Sequence, residues 1–289
     1  MKIGLIGLGA WSQKLIKCLP NPEHLFCVLS NRVDAKDVLP HGTLILRTFD
    51  EFIETGLDRI IIANQASKHQ FALKKIRHAL PTIPILIEKP FATTHEEICE
   101  YINQFGLDEN ILVNHTLLFN KSIEDIKKKY QKSKPLKINC ADCNLGPFRM
   151  DCSSLWDYGP HPISIALYLT TIDESMLDVE VIDAKQVNTS FGSITNFRLI
   201  LNNETEMICS IGNGFPLKVR KYLFAYNEND NVEFDGIEKV DPEPLNKILM
   251  DFCELKKQNR LIADGRWGLK IPINVVKIID EIEKKLVSS

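Results

Sequence analysis

Three side chains in this chain of 289 residues are of types that move protons, and two of them lie close together in the chain. Lys89 lies in Glu88-Lys89-Pro90, at the end of a strand predicted over Ile83 to Glu88, and Asp157 and His161 stand four positions apart in Trp156-Asp157-Tyr158-Gly159-Pro160-His161. Oxidising a secondary alcohol needs a base to take the hydroxyl proton as hydride departs, and the reverse needs an acid. The imidazole of His161 suits the acid/base role, the Lys89 ammonium suits polarising the same oxygen or sharing its proton, and Asp157 suits orienting the imidazole. Pro160 and Pro162 fit the first turn of a helix that Ile163 to Leu169 continues, because their missing N–H groups would be unpaired there anyway. That helix end favours neutral imidazole and Asp157 favours the charged form, a balance that places His161 titrating near neutrality.

A partner for such chemistry is read from the first nineteen residues, MKIGLIGLGAWSQKLIKCL. Met1 to Ile6 is an apolar run suited to a strand buried on both faces, Gly7-Leu8-Gly9 makes a turn, and Trp11 to Leu19 is apolar at helical spacing. A strand, glycine turn and helix present unpaired N–H groups and a positive dipole end to an anion, and a residue without Cβ lets a pyrophosphate approach the backbone. The pattern is G-x-G-x-x-G with Ser12 at the third glycine, and the ligand it suits is a dinucleotide. Beyond the second strand, Leu25 to Ser30, an NAD-type site carries an acidic residue for the ribose hydroxyls. Here the segment is Ser30-Asn31-Arg32, with no carboxylate before Asp34, which suits a 2′-phosphate and favours NADP, with NAD the alternative.

The elements that position these residues alternate. Strands near Thr43 to Leu46, Arg59 to Ala63, Ile83 to Glu88 and Asn110 to Asn114 are separated by helices over Phe49 to Thr55, Lys68 to Leu80 and Thr94 to Gln104. That order predicts a parallel sheet with right-handed crossovers, whose ligands lie beyond the carboxyl ends of the strands. Asn64 and Gln65 join the candidates on that rule, and Lys89-Pro90 is a candidate cis bond. From His115 onward the pattern changes to a helix near Asn120 to Gln131, then alternating strands joined by short turns, which predict a largely antiparallel sheet, and two closing helices. The alternating apolar residues Ile194, Phe197, Leu199 and Leu201 require one face of that sheet to be covered, which points to a homodimer or homotetramer.

In this setting Leu145-Gly146-Pro147-Phe148-Arg149 and Leu155-Trp156-Asp157 make the chain resemble the Gfo/Idh/MocA oxidoreductases, named for glucose-fructose oxidoreductase and inositol dehydrogenase. The matching stretches are Gly7 to Trp11, Asn64 to His69, Glu88-Lys89-Pro90, the pair Asp157 and His161, and Asp264-Gly265 before the last helix. The match is nearest the branch acting on nucleotide-linked sugars for surface polysaccharides, including UDP-N-acetylglucosamine 3-dehydrogenase-like enzymes. The resemblance implies an α/β fold: a Rossmann domain over 1–115, and an α+β substrate and oligomerisation domain with an open sheet over 116–289. It implies cofactor contacts from Gly7, Gly9, Ala10, Trp11, Ser30, Asn31, Arg32, Asn64, Gln65, His69, Glu88 and Lys89, and catalysis by Lys89, Asp157 and His161. Substrate contacts are implied for His115, Asn144, Arg149 and Trp156, with Arg149 suited to a diphosphate and Trp156 to packing beneath the site. Three departures stand out: Ser12, Asn114 before His115, and a short second domain.

A net charge of −3 and a pI near 6.2, with Lys and Arg scattered, do not indicate a nucleic-acid surface. Most of the eight cysteines lie in apolar runs, as reduced thiols of a cytoplasmic protein do, and Cys140 and Cys143 on one strand point to opposite faces rather than to a metal. No stretch reaches the length of a membrane span. Other readings are a catalytically silent NADP-binding sensor or assembly protein, and an enzyme of a free sugar, inositol or imine.

Overall fold

The computed structural model describes residues 1–146, 152–170, 177–239, 243–254, 258, 261–263 and 265–288, and these form two units. In the first, strands β1 (Ile3–Ile6), β2 (Leu25–Leu29), β3 (Leu44–Leu46), β4 (Arg59–Ile62), β5 (Ile85–Ile87) and β6 (Ile111–Val113) form one sheet in the order β3-β2-β1-β4-β5-β6. Every pairing is parallel. Helices α1 (Ala10–Cys18), α2 (Ala35–Val38), α3 (Phe49–Ile53), α4 (His69–Ala79) and α5 (His95–Phe105) supply the crossovers. All residues of β1, β4, β5 and β6 are buried, as apolar runs covered on both faces must be. Strand order reverses between β1 and β4, which puts a crevice at their carboxyl ends.

The second unit has a six-stranded sheet of β7 (Lys137–Leu145), β8 (Val179–Thr189), β9 (Gly192–Leu201), β10 (Thr205–Gly212), β11 (Gly214–Ala225) and β12 (Asn231–Asp235), in the order β12-β11-β7-β10-β9-β8. Four pairings are antiparallel, as expected from short turns, and the β9–β10 turn holds Asn202 and Asn203 at φ 51° and 55°. The fifth, β7 with β10, is parallel, so the sheet is mixed. Strand β12 has no counterpart in the sequence reading.

Helices α6 (Lys121–Lys129), α7 (Ser154–Tyr158) and α8 (Pro160–Thr170) belong to this unit. Further along the chain lie α9 (Pro244–Cys253) and α10 (Lys270–Ser288). α7 packs on β9 and β10, α8 on β7, and α10 on α8 and β8. Phe197, Leu199 and Leu201 are buried on the helix-covered face, which corrects the basis for association: the chain covers that face itself. Ile194 differs in parity from these three and faces the other side with Asn196 and Arg198. Cys140 and Cys209, paired across β7 and β10, bring their sulfurs to 2.9 Å, while Cys143 donates to the Ser210 carbonyl.

A second correction concerns residues 245–269, read from sequence as part of the second domain. They belong to the first unit. The Arg59 guanidinium lies 5.2 Å from the Phe252 ring, Phe252 stacks near Trp267, and the Gly268 N–H donates to the Ile111 carbonyl at 2.7 Å. These contacts cap the amino-terminal end of the parallel sheet with buried aromatic area that a local pattern does not reveal. Among the described residues no helix is long and apolar enough to cross a membrane, and no group of three or more His, Cys, Asp or Glu could hold a metal ion.

Candidate functional site

The glycine turn lies at the crevice of the parallel sheet. Gly7 adopts φ +95°, and a Cβ there would come within 2.7 Å of Asn64 Cα and 2.8 Å of the Ala63 carbonyl, so both conformation and the β4 neighbour demand glycine. At Gly9 an added Cβ would meet nothing within 4 Å among the described residues. Gly9 is the N-cap of α1 with no side-chain cap, so the amides of Ala10 and Trp11 remain available to an anion. Space at Gly9 and open helix amides fit a dinucleotide pyrophosphate. Ser12 fits as well: it is fully buried and its hydroxyl donates to the Ala63 carbonyl at 3.1 Å, so the departure at the third glycine is absorbed by a hydrogen bond to β4.

At the end of β2, Ser30, Asn31 and Arg32 stand at the sheet edge as expected, but the Arg32 guanidinium is engaged. Nε and Nη2 donate to the two Asp34 carboxylate oxygens at 2.5 and 2.7 Å, and Nη1 donates to the Leu8 carbonyl at 3.2 Å. Arg32 holds the Asp34 carboxyl below the usual range. Arg47, which the sequence reading passed over, lies beside this loop and donates from Nη1 to the carbonyls of Ser30 and of Arg32, the latter at 3.2 Å. A signal was present: Arg47 follows β3 directly, as Ser30 follows β2.

Lys89 is half-buried just past β5, and its bond to Pro90 is cis. Glu88 points inward. It is buried, accepts from Asn114 Nδ2 at 2.5 Å and from the Trp11 indole, and burial pushes its carboxyl above the usual range against those two donors. His69 is likewise a strut: fully enclosed, with Nδ1 2.8 Å from the Pro90 carbonyl and Nε2 3.2 Å from the Asn64 carbonyl. It ties α4 to the turn after β5 and to the loop after β4. The cofactor contacts expected of Glu88 and His69 thus fall on side chains that brace the sheet edge from within. Asn64 is half-buried and Gln65 exposed, both directly after β4 at the same edge as Gly7 and Lys89.

In the second unit, Asp157 and His161 are both half-buried and one turn apart. Gly159 joins α7 to α8 in a helical conformation, with its N–H on the Leu155 carbonyl at 2.8 Å and its own carbonyl accepting from Ile163 at 3.2 Å. A Cβ at Gly159 would lie 2.5 Å from the Leu155 carbonyl oxygen, so close approach requires glycine. Because α7 runs into α8, the helix end expected at His161 is not a free one. Tyr158, missed by sequence, bonds with Asn144 of β7, and burial with Asp157 nearby pushes its hydroxyl up to about 12. Asn144 is half-buried, and His115 is enclosed at the head of the unit, where its carbonyl accepts from Leu118 at 2.9 Å. Trp156 is buried and its indole bonds the Glu283 carboxyl of α10, a packing position. Arg149 and Asp264 lie outside the described residues.

The face of this sheet away from the helices carries a depression of about 690 Å³ lined by Asn139, Ile208, Ser210, Lys221, Leu223 and Glu233.

No protein-family model matches the chain, and no curated protein matches it. Solved structures do. UDP-N-acetylglucosamine 3-dehydrogenase GnnA from Acidithiobacillus ferrooxidans superposes with a TM-score of 0.78 at 16% identity, over 100% of this chain and 98% of that one. GenD2 from gentamicin A biosynthesis, in complex with NAD, gives 0.81 at 12% identity over 99% and 94%. Scyllo-inositol dehydrogenase from Lactobacillus casei, with NAD(H) and scyllo-inositol, gives 0.74 at 14% identity over 100% and 97%. At these identities the likeness shows the fold: a parallel, helix-flanked sheet unit with a second mixed-sheet unit.

Proposed function

We propose that the chain is an NAD(P)-dependent oxidoreductase that moves a hydride between nicotinamide and a hydroxyl-bearing or keto carbon of a sugar, a nucleotide-linked one. The observation that carries this reading is Lys89, half-buried at the carboxyl edge of the parallel sheet that also holds the open glycine turn. The fold shared with two dehydrogenases and with a third structure in complex with NAD supports it. Gly7, Gly9 and the α1 amides would hold the pyrophosphate, and the Ser30 to Arg32 loop would receive the adenosine ribose, its charge favouring NADP over NAD. A bound nicotinamide supplies the hydride acceptor or donor. His161 takes or returns the hydroxyl proton, Asp157 orients it, and Lys89 hydrogen-bonds the reacting oxygen and lowers the alcohol's pKa. Arg149 meets the diphosphate of the substrate.

The test is turnover, read by nicotinamide absorbance, across nucleotide sugars, free sugars, inositols and imines with each dinucleotide. A nucleotide sugar should react. Reaction of a free sugar, inositol or imine alone would move the substrate class, and tight dinucleotide binding with no turnover across the panel would favour a silent sensor. The same reading includes a homodimer or homotetramer in the cytoplasm, assembled through the outward sheet face where Ile208 is exposed; a monomer at micromolar concentration in light scattering would contradict it.

A further inference from the structure

Two guanidinium groups meet at the loop after β2, Arg32 from within it and Arg47 from the end of β3, and they differ in one respect. The side-on fork of Arg32, Nε with Nη2, is filled by the Asp34 carboxylate. The same fork of Arg47 makes no hydrogen bond among the described residues, while its Nη1 is anchored on the Ser30 and Arg32 carbonyls. We propose that Arg47 is a second recognition residue for the 2′-phosphate of NADP, and that Asp34 competes with that phosphate for Arg32. The inference rests on the cofactor reading above and names what decides between its two dinucleotides.

Position supports it first. Leu29 and Leu46 pair in parallel register, and the Ser30 N–H donates to the Leu46 carbonyl at 3.1 Å, so Ser30 and Arg47 are the first residues past the sheet, side by side at its ligand-binding edge. Arg47 is also fixed there. Its N–H and that of Thr48 each donate to Glu51 Oε2 at 3.0 Å, and Thr48 and Glu51 close a capping box on α3. Anchoring through Nη1 lays the guanidinium over the loop and leaves the planar Nε/Nη2 edge, the edge that matches two oxygens of a phosphate or carboxylate.

Asp34 shows what such an edge takes. Its two oxygens bind Arg32 in the bidentate manner a phosphate would use, so the loop already holds an anion in that position. The pair is solvated, with side chains 33% and 52% exposed, and a solvated pair of this kind is readily exchanged. A 2′-phosphate carries more charge than a carboxylate and has enough oxygens for both guanidinium groups. NAD has no such group and leaves Asp34 on Arg32.

Binding alone tests this. Calorimetric titration of NADP⁺, NAD⁺, adenosine 2′,5′-bisphosphate and AMP into the parent and into Arg47→Ala, Arg47→Lys and Asp34→Asn should separate the 2′-phosphate from the rest of the cofactor. Arg47→Ala should weaken NADP⁺ and the bisphosphate by about tenfold to a hundredfold and leave NAD⁺ and AMP unchanged. Arg47→Lys should fall between, since it keeps the charge without the fork, and Asp34→Asn should tighten NADP⁺ several-fold. Equal losses for NADP⁺ and NAD⁺ in Arg47→Ala, with unfolding unchanged, would overturn the proposal. So would a loss of NAD⁺ affinity in Asp34→Asn, which would make that carboxylate a reader of ribose hydroxyls. A parent that binds neither dinucleotide would overturn the cofactor reading itself.

Discussion

Asn114 donates its side-chain amide to Glu88 Oε1 at 2.5 Å, joining the ends of β6 and β5 beneath the turn that carries Lys89. The departure at Asn114 thus has a physical account: a buried carboxylate needs donors, and Asn114 and Trp11 provide them from opposite neighbours.

This arrangement predicts a pH effect. Burial raises the Glu88 carboxyl above its ordinary value, so between the unfolded and folded pKa values the folded state holds a proton that the unfolded state gives up. Stability from this group is then greatest below the unfolded pKa and declines as pH rises toward the folded one. Glu88→Gln does not titrate. Urea unfolding of both proteins at pH 5 and pH 7 should show the parent gaining on Glu88→Gln at the lower pH; a gap that moves the other way would show the carboxylate to be the favoured buried form.

A buried ion pair gives the next. Arg77 on α4 binds Asp108, with side chains only 2% and 8% exposed, and Tyr101 and the Asn110 N–H also donate to Asp108 at 2.9 and 2.7 Å. Arg77→Met leaves that carboxylate buried without its cation, a change that costs about 3–5 kcal/mol. The measurement is the urea midpoint at constant slope, and a loss under about 1 kcal/mol would show that water reaches Asp108.

Much of the first unit is legible because its signals are local. The strands are short apolar runs, Gly7 and Gly9 mark the turn, and Pro90 ends β5. What escapes is contact across the chain. Trp156 meets Glu283 from a helix over a hundred residues away, residues 245–269 return to the first unit through Phe252 and Trp267, and Glu88 and His69 turn inward to bonds that motif spacing cannot display. Tyr158 escapes for another reason, since one aromatic between Asp157 and Gly159 has no periodicity to assign it a face. Parity alone separates Ile194 from Phe197, and a strict period-two count makes that distinction.

Gly159 offers a test of how the second unit holds its two candidate groups. An added methyl would sit 2.5 Å from the Leu155 carbonyl oxygen, backbone that cannot rotate away. Gly159→Ala should therefore shift α8 against α7, costing about 1–3 kcal/mol in thermal or urea unfolding, and lower turnover while dinucleotide affinity stays at the parent value. Unchanged stability would mean the junction has slack.

The catalytic assignment separates two roles that a static arrangement does not. If Lys89 and His161 only position the cofactor, removing either should weaken dinucleotide binding; if they move protons, binding should survive while the chemical step slows. General acid/base groups contribute about 10² to 10⁴ in rate, so Lys89→Ala and His161→Ala should each lower single-turnover hydride transfer by about that factor with cofactor affinity nearly unchanged. The two should not multiply in the double variant, because groups acting on one proton and one oxygen fail together. Asp157→Asn should lower the rate less and shift its pH profile, since it removes the charge beside the imidazole and keeps the shape. Hydride transfer at the parent rate in both alanine variants, with a reactive sugar bound, would move the chemistry to other residues and leave Lys89, Asp157 and His161 as scaffolding.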